Sequence, residues 1–154
     1  MKSKILGLSI LFSIFFTLQS CTDSDDDNAS STRDIAIESP GDYTGLFRIV
    51  YSQYPNRNTT DNITVSVEYL SSRSLFIDSQ GGDYFAVSLE GSDPSNPSFD
   101  EISSANGIYS NSGEIEGSTS IGTSLASITY EIVQPYSQGG TMTITFNGSY
   151  EIEE

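Results

Sequence analysis

The sequence contains no histidine, no tryptophan and a single cysteine, and its only lysines are Lys2 and Lys4. Each absence removes a chemistry. Without an imidazole there is no general base for a Ser-His-Asp or Cys-His device. Without a lysine beyond Lys4 there is neither a Ser-Lys dyad nor a Schiff base. Catalytic zinc and copper sites lose their usual ligands by the same count, and one thiol cannot form an internal disulfide. Neither common Gly-rich phosphate motif occurs. Basic charge is scarce as well. After residue 20 the cations are Arg33, Arg48, Arg57 and Arg73, and these four against 21 acidic residues leave a net charge of −17. Such a surface repels phosphate backbones, so nucleic acid is not an expected partner.

Carboxylate chemistry survives these exclusions. Glu114 and Glu116 stand two apart on one strand face, but a solvated carboxylate lacks the surroundings that raise an acid's pKa for glycoside hydrolysis. Asp78 and Asp83 read as turn residues. Oxygens of Asp93, Asn96 and Asp100 could at most gather a loop-bound calcium ion. No catalytic residue, cofactor or metal site is expected, and the chain is read as non-enzymatic.

Lys2 and Lys4 precede an apolar run from Ile5 to Leu18 that ends in Leu18-Gln19-Ser20-Cys21. Fourteen residues suit a signal-peptide core and are short for a bilayer span. The ending resembles the bacterial lipobox, with Gln19 a looser fit than the usual small residue. The resemblance implies a signal peptide over 1–20 and acylation (thioether-linked diacylglycerol, amide-linked palmitate-type chain) at Cys21, the membrane anchor. Residues 21–33 include Ser24-Asp-Asp-Asp27 and are too polar to form a core, so they read as a disordered acidic tether. That acidic run resembles the export signal of Bacteroidota surface lipoproteins, which implies an outer-membrane, surface-exposed location.

From Asp34 onward the apolar residues alternate with period two. Tyr43, Phe47, Ile49 and Tyr51 share one face, as do Ile63, Val65, Val67 and Tyr69, and then Met142, Ile144, Phe146, Tyr150 and Ile152. Alternation of this kind marks half-buried antiparallel strands. Weaker strands are expected over Leu75–Ile77, Tyr84–Leu89, Glu114–Ile121 and Ala126–Val133, with a short one around Ile108. Gln80-Gly-Gly-Asp83 and Gln138-Gly-Gly140 carry the positive-φ chemistry of tight turns. Residues 54–61 and 91–98 read as longer loops. The expectation for 34–154 is an all-β domain of about eight strands, a meander barrel, with a small β-sandwich as the alternative.

Gly41-Asp-Tyr-Thr-Gly-Leu-Phe47, Gly113-Glu-Ile-Glu-Gly117, Leu125-Ala-Ser-Ile-Thr-Tyr130 and Phe146-Asn-Gly-Ser-Tyr150 together resemble the lipocalin-like domains of small Bacteroidota lipoproteins. A barrel of that size can hold one small ligand. Tyr43, Tyr51, Tyr69, Tyr130 and Tyr150 lie on the apolar faces and are the candidates to line such an interior, for an apolar or amphipathic ligand. Side chains filling the interior are the competing reading. Tyr54 and Tyr136, each beside a proline, could stack on a sugar. The alternative function is a structural, accessory or adhesion module that meets a protein or glycan partner through its loops.

Overall fold

A computed structural model describes residue 36 and residues 38–152. The expected signal peptide, Cys21 and the acidic tether lie outside the described residues. The described residues form eight strands: β1 (Gly41–Tyr51), β2 (Thr59–Ser71), β3 (Ser74–Asp78), β4 (Tyr84–Glu90), β5 (Ser98–Asn106), β6 (Glu114–Ile121), β7 (Leu125–Pro135) and β8 (Thr141–Glu151), with one 3-10 turn at Pro55–Arg57. Every strand pairs antiparallel with its sequence neighbour, and β8 pairs with β1 to close the ring. A sandwich would leave sheet edges unpaired. Here β1 is bonded on both sides, to β2 and β8, and the architecture is a closed, lipocalin-like meander barrel.

The period-two pattern decides which face turns inward. On β8, Met142, Ile144 and Phe146 are buried, whereas Thr141 and Asn147 are exposed. On β7, Ala126, Ile128, Tyr130 and Ile132 are buried between outward Ser127, Thr129, Glu131 and Val133. An apolar inside and a polar outside is the reverse of a transmembrane barrel, which shows lipid an apolar band. Side chains fill the interior. Tyr43, Val65, Leu75, Ile77, Phe85 and Ile144 are fully buried. Along the axis Phe85 meets Tyr109 at 4.7 Å and Tyr130 at 5.2 Å, and Tyr130 meets Phe146 at 5.6 Å between ring centroids.

One expected element is replaced by another. The segment around Ile108 is a turn, and the fifth strand is Ser98–Asn106. Its inward residues Phe99 and Ile102 stand three apart, because the register against β4 shifts between Ala86 and Leu89. Such a bulge breaks the alternation that identifies a strand in sequence.

The two ends of the barrel differ. At the end where the chain enters, Ala36 and Ser39 are buried. Ser39 Oγ bonds Thr119 Oγ1 at 2.9 Å, its carbonyl accepts from Tyr43 Oη at 2.7 Å, and the Pro40 carbonyl accepts from Tyr150 Oη at 3.2 Å. That end is sealed. At the opposite end, β5 and β6 diverge from their single register pair, Ser98–Ser118, and the loop between them turns Tyr109 into the core. This end forms a mouth.

Candidate functional site: the mouth of the barrel

Three turns build the mouth: the β1–β2 loop, the β5–β6 loop and the β7–β8 hairpin. The hairpin is made by Gly139 and Gly140, at φ of 104° and 76°, conformations that side chains rarely adopt. Tyr136 N–H donates to the Gly140 carbonyl at 3.0 Å, and Gly139 N–H to the Tyr136 carbonyl at 2.9 Å. Arg57 then ties two rims together. Its Nη1 donates to Tyr136 Oη at 2.7 Å and to Gln138 Oε1 at 2.9 Å, and its guanidinium lies 5.3 Å from the Tyr54 ring centroid. Tyr54 Oη donates to the Gln138 carbonyl at 2.7 Å. Tyr136 packs edge-on against Tyr51 at 4.7 Å and against Tyr54 at 5.9 Å.

Below this clamp lies a cavity of about 280 Å³. Its walls are half-buried Tyr51, Tyr136 and Ile108, and its floor is buried Tyr109, Gln134 and Met142. That volume is just under the usual range for small-molecule sites, roughly 300–1,000 Å³. A second cavity of similar volume lies against the other side of the β7 end and shares Gln134 and Pro135 with the first.

Gln134 is the unusual residue of the floor. It is 4% exposed, and its Nε2 donates to the Ile108 carbonyl at 2.6 Å. A carbonyl can only accept, so this bond fixes which way the amide points. The side-chain oxygen Oε1 is buried with no hydrogen-bond partner. A buried acceptor left in that state costs about 1–3 kcal/mol.

Deeper still, Ser79 Oγ, Tyr109 Oη and Tyr130 Oη form a hydroxyl chain with spacings of 2.6 and 3.1 Å. It ends on the Asp83 carbonyl, to which Ser79 donates at 3.0 Å. Burial pushes the Tyr109 phenol up to about 12, against the hydrogen bonds with Ser79 and Tyr130, which pull it down. Burial, with Tyr109 beside it, holds Tyr130 well above the usual phenol range. These hydroxyls are neutral at physiological pH and close the floor without offering a base or nucleophile.

The tyrosines expected to line an interior cavity fall into four places. Tyr43 and Tyr150 pack edge-on at 4.8 Å in the sealed end. Tyr130 belongs to the packed axis. Tyr69 pairs with buried Leu75 and keeps the inward parity, yet it lies past the ring of strands and is 49% exposed. Tyr51 alone reaches the mouth. Glu114 and Glu116 are exposed. Asp93 accepts from Ser95 N–H and Asn96 Nδ2, while Asn96 Oδ1 accepts from Ser120 Oγ, so these oxygens hold the loop. Gln134 and Tyr109 are the mouth residues that sequence reading passes over. A signal for Gln134 exists, since it continues the inward series Ile128, Tyr130, Ile132 as a polar residue where an apolar one is due. No known protein family, curated protein or solved structure matches this chain.

Proposed function

We propose that the chain is an outer-membrane, surface-exposed lipoprotein of the small Bacteroidota type. In this reading acyl chains on Cys21 anchor it, and its barrel is a non-enzymatic module that binds a small amphipathic ligand at the mouth. The carrying observation is the contrast between a side-chain-filled interior and a half-buried, tyrosine-walled cavity at one end. A filled core leaves no room for internal carriage, whereas aromatic walls with few, directed polar groups suit a small ligand. The polar outer face supports attachment through an anchor rather than by the strands. The mouth opens at the end of the barrel opposite to Ser39 and Pro40, an arrangement that suits a domain held by an N-terminal anchor.

Two experiments test this reading. Ring-sized amphipathic fragments screened by ligand-observed NMR against the detergent-solubilised full chain should include binders that are weakened by Tyr136→Ala and unaffected by Leu46→Ala on the outer face of β1. Binders indifferent to Tyr136→Ala, or none at all, contradict a site at the mouth. For the anchor, Cys21→Ser should abolish incorporation of labelled palmitate and release the protein in soluble form; a variant that stays membrane-bound contradicts acylation there.

A further inference from the structure

Resting on the mouth as the binding site, we infer that its ligand is a neutral sugar ring, read by the side-chain carbonyl of Gln134. The orphaned Oε1 of this buried residue calls for a hydrogen-bond donor. Its Nε2 is committed to the Ile108 carbonyl, which leaves Oε1 as the open acceptor of the amide. Carboxylates and phosphates have no proton to give it, and the chain's net charge of −15, with 21 acidic residues, repels them. An ammonium could satisfy the carbonyl but would meet the Arg57 guanidinium bound to the rim tyrosine Tyr136. Arg57 occupies an acceptor position on Tyr136 Oη, so the phenol keeps its own proton to donate. Gln134 Oε1 as acceptor and Tyr136 Oη as donor, on two residues that line one cavity, match a hydroxyl, which both gives and takes a hydrogen bond. The remaining surface, Tyr51, Ile108 and Met142, is apolar and offers contact to the C–H face of a ring. A cavity of about 280 Å³, open to solvent, admits one such unit, either as a free monosaccharide or as the end of a glycan.

The test uses the isotope-labelled full chain in detergent with glucose, galactose, mannose and N-acetylglucosamine, the matching linear oligosaccharides, and glucuronate as the charged control. At least one neutral sugar should shift the amides of Ile108, Gln134 and Tyr136, and glucuronate should not. Equal affinity for monosaccharide and oligosaccharide identifies a free sugar; tighter binding of the oligosaccharide identifies a glycan end. Gln134→Met keeps the side-chain length and should weaken the bound sugar about tenfold, the equivalent of one hydrogen bond. Deoxy analogues on the unaltered chain give the same reading if that variant fails to fold, with one deoxy position losing about tenfold. Fragments that bind at the mouth while every neutral sugar fails would overturn the sugar and leave the mouth reading standing. Failure of both classes overturns the two together. Sugar binding that survives Gln134→Met unchanged, with no deoxy position affected, removes Gln134 as the reading group and leaves a buried water as its partner.

Discussion

Tyrosine is the residue on which this molecule is built, and buried tyrosines give it a pH signature. Tyr43, Tyr109 and Tyr130 have folded-state pKa values raised above the ordinary value of 10.0, in each case chiefly by burial. The folded chain therefore keeps phenolic protons through a range in which the unfolded chain has lost them. Stability from this source is fully present below about pH 10 and falls as the pH climbs toward 12 and beyond. Tyrosinate absorbance should accordingly rise in two phases, with the second coinciding with loss of the β-sheet circular dichroism. All nine tyrosines ionising together with the fold intact would contradict it. Phe85, fully buried against Tyr109 and Tyr130, should cost about 3–5 kcal/mol in denaturant unfolding when changed to Ala. At this scale the sequence is partly legible. Parity marks Tyr43 and Tyr130 as inward, but it cannot tell where a strand leaves the ring, which is why Tyr69 reads as interior and stands half exposed. Nor can it tell that Tyr109, on a loop, folds back to plug the floor.

Strand pairing is uneven, and the unevenness predicts where the barrel opens. β7 and β8 run in register from Leu125–Glu151 to Pro135–Thr141. The β5–β6 seam has one register pair, supported by Thr119 N–H to the Pro97 carbonyl at 3.1 Å and Ile121 N–H to the Ser95 carbonyl at 2.7 Å. Local opening follows the weakest set of contacts. Native-state hydrogen exchange should release the amides of Thr119 and Ile121 well before those of Ile132 and Ile144; the reverse order would contradict this seam. A second weak point is steric. Gly45 faces Gly148 across β1 and β8, and a side chain at Gly45 would run into the Asn147 carbonyl. Gly45→Val should therefore cost about 2–3 kcal/mol by chemical denaturation, while Thr44→Val beside it, outward on the same strand, should change stability little. Seven of the strands are legible because alternation is the direct trace of a half-buried sheet. β5 is not, since its bulges put Phe99 and Ile102 out of phase.

At the largest scale, the described barrel combines an apolar filling with a largely polar exterior, and the chain is strongly acidic. With 21 acidic residues against six basic ones, self-repulsion opposes the compact state, and salt screens it. Raising the ionic strength from low to physiological should raise Tm by a few degrees; a fall would mean that specific ion pairs outweigh the repulsion. Closure rests on one pairing, β1 with β8, which alternation alone does not choose over a small sandwich, but fold class and acidity follow from sequence pattern, because each is a sum over many residues. The site does not, because it depends on how three loops far apart in sequence meet at one end. Amide shift mapping of the labelled full chain with its tightest fragment or sugar bound tests the account most directly. Shifts confined to Tyr51, Ile108, Gln134 and Tyr136, with Val65, Ile77 and Ile128 unmoved, are the expected result. Shifts centred on those three interior residues would mean that the barrel opens to take its ligand inside, and the mouth would lose its role.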